Sequence, residues 1–146
     1  MGVDVQTEDS AIRALVGRWV EAACAKDLDG VMACYAPEVV AFDAIAALRF
    51  EGTEAYRKHW EYCMGFAEGE MIMRIPDMDI TVGGDIAFCH YLANCGCTDT
   101  AGNERTGWMR GTVCLRRIDG RWLIDHEHYS VPFDPETMKV MTELQP

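Results

Sequence analysis

WLIDHEHYSVP, residues 122–132, is the stretch whose reading decides the fold. Side chains alternate across a strand, so a strand here puts Trp122, Ile124, His126, His128 and Ser130 on one face and Leu123, Asp125, Glu127 and Tyr129 on the other. One of those two faces is expected to wall a ligand cavity. Pro132 ends the strand, and Asp119-Gly120 before it is the strongest hairpin signal in the chain. That hairpin makes Arg121–Val131 the antiparallel partner of a strand over Thr106–Ile118.

Further back, the polar turn DTAGN joins Thr106–Ile118 to a strand over Ile86–Thr98. Gly83-Gly84-Asp85 joins that strand to one broken around Pro76, with halves at Met71–Ile75 and Asp79–Val82. The first part of the chain is helical. Ile12, Leu15, Val16, Trp19, Val20 and Ala23 form an i, i+3, i+4, i+7 ladder. Asp27 or Asp29 can cap a short second helix with Leu28, Val31, Met32 and Tyr35 on its apolar face, stopped by Pro37. Val39–Asp43 reads as a strand, and the less regular AIAALRF carries the chain to Gly52. A third helix is predicted from Thr53 as N-cap through Tyr56, His59, Trp60 and Cys63 toward the Gly65–Gly69 region. Asp134-Pro135-Glu136 is expected to start a short terminal helix. The order α-α-β-α-β-β-β-β, helices first and a long antiparallel meander after, predicts an α+β fold: a curved sheet wrapped over the helices, in a single domain over residues 1–146.

Composition excludes several function classes. The 146 residues are 49% hydrophobic with a net charge of −11, which repels phosphate backbones and anionic lipid, so neither nucleic acid nor membrane is expected as a partner. No apolar run approaches the roughly 20 residues of a membrane span. The opening MGVDVQTEDS does not have the layout of a secretory signal and carries Gln6 where a myristoylation motif needs Ser or Thr, so a cytoplasmic location is expected. Seven cysteines in scattered positions without a CxxC pair read as buried free thiols. There is no phosphate-cradling glycine loop and no GxSxG, which disfavours nucleotide cofactors and acyl-enzyme chemistry.

This order of elements, with KDLDGVMACYAPEVVAFD, the GTEAYRKHW helix and WLIDHEHYSVP, resembles the SnoaL-like and ketosteroid-isomerase-like branch of the NTF2-like superfamily over nearly the whole chain. The resemblance implies an α+β cone enclosing an apolar cavity and a homodimer formed through the sheet. It also implies a set of activities (isomerase, cyclase, dehydratase, hydrolase, or none) among which fold cannot choose. YAPEVVAFD matches in register the stretch that carries the isomerases' general-base aspartate, which puts the base at Asp43. Trp19 in GRWVEAA stands where their oxyanion-donating tyrosine does, and WMRGTVCLRR offers no carboxylate where they hold a protonated aspartate.

Alternation fills the remaining positions. Trp108, Arg110, Thr112 and Cys114 share one strand face, and Phe88, His90, Leu92 and Asn94 another. If both join the His126, His128 and Ser130 face, the cavity holds Asp43 as the group that moves a proton, His128 as acid or donor, and Arg110 on a carboxylate or enolate oxygen. Trp19, Tyr56, Trp60, Phe88, His90, Trp108, Thr112, His126 and Ser130 then bind the substrate. The other reading open at this point pairs Arg110 with Asp43 or Glu127 and leaves His128 to satisfy buried backbone groups. The expected function is binding of a small, apolar, oxygenated molecule with cofactor-independent acid–base isomerase, cyclase or lyase chemistry. One alternative is a non-catalytic ligand-binding or association domain. Another is a metal-dependent enzyme using His126 and His128, completed by His90 or Asp43. Neither a metal nor a cofactor is part of the main expectation.

Overall fold

The computed structural model describes residues 4–146; Met1–Val3, where the opening segment starts, lie outside the described residues. Helix α1 (Val5–Cys24) begins behind Asp4, whose carboxylate accepts from the Gln6 backbone N–H at 3.1 Å, and buries Ile12, Leu15, Val16, Trp19 and Ala23. Helix α2 (Leu28–Met32) is capped by Asp27, which accepts from the Gly30 N–H at 3.0 Å. What holds α1 in place is its buried face. Each fully buried large apolar side chain contributes roughly 1.5–3 kcal/mol, whereas an exposed pair such as Asp9–Arg13 at 2.7 Å contributes about 0–1 kcal/mol.

The strands follow the expected meander with local differences. Strand β1 (Tyr35–Phe42) starts before Pro37, which falls in an irregular stretch between the Tyr35 and Val40 pairings, where its missing N–H removes no ladder bond. A two-residue strand β2 (Phe50–Glu51) pairs antiparallel with β1 inside the segment expected to be irregular. Helix α3 (Gly52–Phe66) starts one residue before the expected cap: Glu51 holds the N-cap position without a side-chain bond, and Gly52 turns the chain at φ +81°. Then come β3 (Met71–Arg74), β4 (Met78–Gly83), β5 (Ile86–Thr98), β6 (Glu104–Ile118) and β7 (Arg121–Ser130). Among the described residues the sheet order is β2-β1-β7-β6-β5-β3, with β4 beside β3 on the same edge of the long β5. Pairing is antiparallel except for β1 with β7, which run parallel. The α+β cone follows, with α1 and α3 against the concave face. The expected terminal helix does not form. After one turn (Met138 N–H to Asp134 O, 2.7 Å) the chain folds back, and Met141 N–H reaches Pro132 O at 2.8 Å.

The register of β7 corrects the predicted strand phase. Leu115 pairs with Ile124 and Cys114 with His126, so Asp125 is one residue extra. Such a bulge shifts the alternation by one. Trp122 and Ile124 point into the core as expected, but beyond Asp125 it is Glu127 and Tyr129 that point in, at 0% and 6% exposure, while His128 is exposed. In β5 and β6 the inward residues are Ala87, Cys89, Tyr91 and Ala93, and Gly111, Val113 and Leu115. Phe88, His90, Arg110 and Thr112 therefore lie on the convex face, with His126, His128 and Ser130.

Glu127 is enclosed by phenols. Its Oε1 accepts from Tyr35 Oη at 2.6 Å and Tyr56 Oη at 2.5 Å, and Trp19 Nε1 donates to Tyr35 Oη at 2.9 Å. Oε2 is buried without a partner. Burial pushes the carboxyl up to about 7, against the lowering effect of the two tyrosine donors and with a further raising contribution from the charge of Asp43. Beside it, Tyr91, Gly111 and Tyr129 form one row across β5, β6 and β7. The two tyrosine hydroxyls hydrogen-bond to each other over the glycine. A Cβ at position 111 would lie 2.7 Å from Tyr91 Cε2 and 2.8 Å from Tyr129 Cε1.

Two predictions follow from this core. Gly111→Ala is expected to lower unfolding free energy by about 1–3 kcal/mol through overpacking, read by urea denaturation; an unchanged midpoint would show that the tyrosine pair moves aside freely. Glu127 has a folded-state value of about 7, above its ordinary 4.5. The folded chain therefore keeps a proton that the unfolded chain has lost between those values. Stability is expected to fall as pH rises through that window and to level off above it, by up to roughly 3 kcal/mol. In Glu127→Gln this slope should vanish; equal slopes in both proteins would remove Glu127 as its source.

Candidate functional site

The concave face and the two long helices enclose a cavity of about 680 Å³. Its walls are aromatic and sulfur-bearing: Trp19, Tyr56, Trp60 and Tyr129, with Met71, Met73, Met109, Cys63, Cys95 and Cys97. Val131 and Thr142 add the returning C-terminal segment to the rim. A second hollow of about 740 Å³ lies outside α1 and α2. It is bordered by alanines and glycines, by Leu15, Trp122 and Leu123, and by Arg18, Glu21, Asp27 and Arg121, and no histidine lines it, so acid–base chemistry points to the first cavity.

Three polar groups of that cavity meet in one place, while the exposed Arg105, Thr106 and Thr142 border it elsewhere. Ala41 points inward at the end of β1 and Phe42 outward, so Asp43 again faces in, as the first residue past the strand. Across from it, α3 presents His59 one turn before Cys63, at i and i+4 on the buried side of the helix. Asp43 Oδ2 and His59 Nε2 are in direct hydrogen-bond contact, and Cys63 Sγ lies 3.6 Å from the same nitrogen. The imidazole side chain is 4% exposed and the carboxylate 14%. Phe50 stacks on His59 at 4.1 Å between centroids, and Tyr56 lies nearly parallel to it on a 5.9 Å centroid distance, so the ring is fixed in plane as well as in position. Burial and the charge of Asp43 push the Cys63 thiol up to about 11, which makes it a poor nucleophile at neutral pH.

Of the residues expected in the site, Asp43, Trp19, Tyr56, Trp60 and Trp108 border this cavity. Trp19 commits its N–H to Tyr35, so it cannot serve as the donor to a substrate oxygen. Seven others lie on the convex face because of the strand phase described above: Phe88, His90, Arg110, Thr112, His126, His128 and Ser130. There Arg110 Nε donates to Ser130 Oγ at 3.1 Å, His126 Nδ1 is 2.6 Å from Val40 O, and Phe42 meets His126 and His128 edge-on at 4.7 and 5.7 Å. His90 Nδ1 is 3.8 Å from Asp79. Asp43 and the pair His126 and His128 therefore belong to opposite faces, and no metal set forms around that pair. Among the described residues, the group of His, Cys, Asp or Glu side chains close enough to share an ion is Asp43, His59 and Cys63. His59 is the functional candidate that sequence reasoning treated only as part of a helical ladder. An imidazole within an otherwise apolar buried stripe, with a cysteine one turn on, was the available signal.

No helix among the described residues is long and apolar enough to cross a membrane. Among curated proteins, none matches the chain. Residues 12–134 match the family model of the SnoaL-like domain. An NTF2-like protein of unknown function from Pseudomonas putida KT2440 is 42% identical, with a TM-score of 0.89 over 99% of this chain and 100% of that one. A protein of unknown function from Mycobacterium tuberculosis is similar in fold, at 18% identity and TM-score 0.80, over 98% of this chain and 82% of that one. The association domain of C. elegans CaMKII is similar at 18% identity and TM-score 0.70, over 86% and 96%. With its helices on the concave side of a curved sheet and a family model spanning most of its length, the chain belongs to the SnoaL-like family of the NTF2-like superfamily.

Proposed function

We propose that the chain, as one SnoaL-like domain, binds a small, apolar, oxygenated molecule in its cavity and moves a proton on it by acid–base chemistry, as an isomerase, cyclase or lyase. The observation that carries this reading is the Asp43–His59 contact at the wall of an otherwise aromatic and sulfur-lined cavity. A carboxylate bonded to an imidazole can take a proton from carbon next to a carbonyl while the imidazole holds or returns one. Asp43 is the base in this mechanism. His59 orients it and exchanges the proton, taking the part first expected of His128. Arg110 is on the convex face and has no part in holding an enolate. Apart from Asp43, His59 and the exposed Arg105, the cavity walls supply shape rather than charge, which favours cyclic or aromatic ketones over sugars or nucleotides.

A second observation supports self-association. The convex face exposes Ile86, Phe88 and Leu92 along β5, and Phe42 on β1 beyond two intervening strands, and exposed apolar side chains in a row on a charged protein mark a contact surface. The similarity to an association domain agrees with this reading. A homodimer through the convex face leaves the cavity open on the opposite side of the sheet, so association and acid–base chemistry are compatible.

Two measurements test these readings. Deuterium uptake at the α-carbon of a panel of aryl ketones and cyclic enones, followed by NMR, should be catalysed by the native protein and slowed about 10²–10⁴-fold in Asp43→Asn, with ligand affinity retained. Affinity lost together with exchange, or no exchange with any bound ketone, would leave a binding domain. Light scattering should give twice the 16.4 kDa chain mass, and Phe88→Glu should give the monomer; a monomeric native protein would end the dimer proposal.

A further inference from the structure

Proton transfer between Asp43 and His59 makes no use of Cys63, yet Cys63 is built into the same cluster. One potential ligand atom from each of the three residues, Asp43, His59 and Cys63, lies within 4.8 Å of the other two. We infer that Asp43, His59 and Cys63 form a capture site for a divalent cation of the zinc class, with its fourth position open to the cavity, and that occupancy withdraws Asp43 and His59 from proton transfer.

The geometry and the donor chemistry both favour this class of ion. A tetrahedral ion with a metal–sulfur distance of about 2.3 Å and a metal–nitrogen distance of about 2.0–2.1 Å separates the two ligand atoms by about 3.6 Å. Cys63 Sγ and His59 Nε2 are 3.6 Å apart. They come from one helix turn, so the spacing is held by the backbone hydrogen bonds of α3. Asp43 is the adjustable member: it must retreat from Nε2 by about 1 Å to a tetrahedral edge, and it lies past the end of β1, ahead of the irregular segment 44–49. Thiolate, carboxylate and neutral imidazole carry two negative charges, which a divalent cation cancels, so the loaded site suits an apolar wall where an unbalanced charge would not. A mixed sulfur, nitrogen and oxygen set selects borderline ions over calcium or magnesium, which require several oxygens. Binding is a proton exchange. The Cys63 S–H bond breaks, a sulfur–metal bond forms, and the thiol proton leaves to solvent together with any proton held between Asp43 and His59. No oxidation is involved. Affinity must therefore rise with pH.

The inference rests on the cluster and not on catalysis, so it can be tested without a substrate. Reduced full-length protein titrated with Co²⁺ should bind one equivalent, with tetrahedral visible bands and a thiolate-to-cobalt charge-transfer band. Zn²⁺ should displace the cobalt. The charge-transfer band should disappear in Cys63→Ser and persist in Cys97→Ser, whose native thiol borders the same cavity. Alkylation of the native protein, mapped by mass spectrometry, keeps the test independent of how the variants fold: one equivalent of Zn²⁺ should slow labelling of Cys63 at least about tenfold and leave the other thiols unchanged. Protection of Cys95 or Cys97 instead, a cobalt band that survives Cys63→Ser, or the absence of stoichiometric binding would overturn the site. In protein active in α-proton exchange, stoichiometric zinc should abolish exchange and a chelator should restore it. Exchange that continues with zinc bound would overturn the inhibitory half alone, and absence of exchange from the start would count against the proposed function while leaving the binding result intact.

Discussion

One extra residue in β7 decides what the cavity contains. Asp125 has no partner in the ladder between Cys114 and Leu115, and its insertion turns the second half of the strand over. Without the bulge, Glu127 and Tyr129 would face solvent and His126 and His128 would line the cavity. With it, a carboxyl and a phenol enter the core, and two imidazoles move to the convex face. The enclosed phenols follow from that step. Tyr35 from β1 and Tyr56 from α3 both donate to Glu127, so this one side chain ties the last strand to the first strand and to the helix that carries His59. Gly111 belongs to the same arrangement, because Tyr91 and Tyr129 can meet over β6 only where no side chain intervenes.

The first three helices and the succession of antiparallel strands after them were legible because both depend on short-range patterns: the α1 ladder, the Asp27 cap and the Asp119-Gly120 turn. The parallel pairing of β1 with β7, separated by most of the chain, has no local signal. The direction of side chains in β7 has a signal of an indirect kind. Trp122, Ile124 and Tyr129 are all large enough to demand burial, yet Ile124 and Tyr129 are an odd number of positions apart, which a regular strand cannot satisfy and a bulge between them can. Strands β5 and β6 were misphased for a related reason. Phe88 and Leu92 are as apolar as the inward Cys89, Tyr91 and Val113, so alternation identifies two faces without ranking them, and a sheet whose outer face carries large apolar side chains offers no polarity contrast.

Asp43 was found through a resemblance in register, and its inward direction is consistent with simple alternation past Ala41 and Phe42. His59 was visible as a member of the α3 stripe and not as a reactive group, because partner choice is a tertiary fact: what distinguishes it is the carboxylate that β1 delivers across the cavity. Trp19 gives the converse case. Its place in the first helix fits the family pattern, but Tyr35, a residue of the next strand, takes up its N–H.

Two carboxyl groups in one apolar region cannot be treated separately. Glu127 is raised chiefly by burial, and the charge of Asp43 raises it further. With His59 protonated, the Asp43–His59 pair is net neutral and Glu127 faces a dipole; with His59 neutral and Asp43 ionised, it faces a charge. A proton leaving the dyad toward a substrate adds one negative charge there whichever member gives it up, and so makes Glu127 harder to ionise. With Glu127 near 7, its ionisation is sensitive to that charge in the neutral range. The tyrosines are the physical connection: Tyr56 lies along the imidazole of His59 on one side and holds Glu127 through its hydroxyl on the other, so the charge state of the core reaches the cavity wall through a ring that cannot move independently of either.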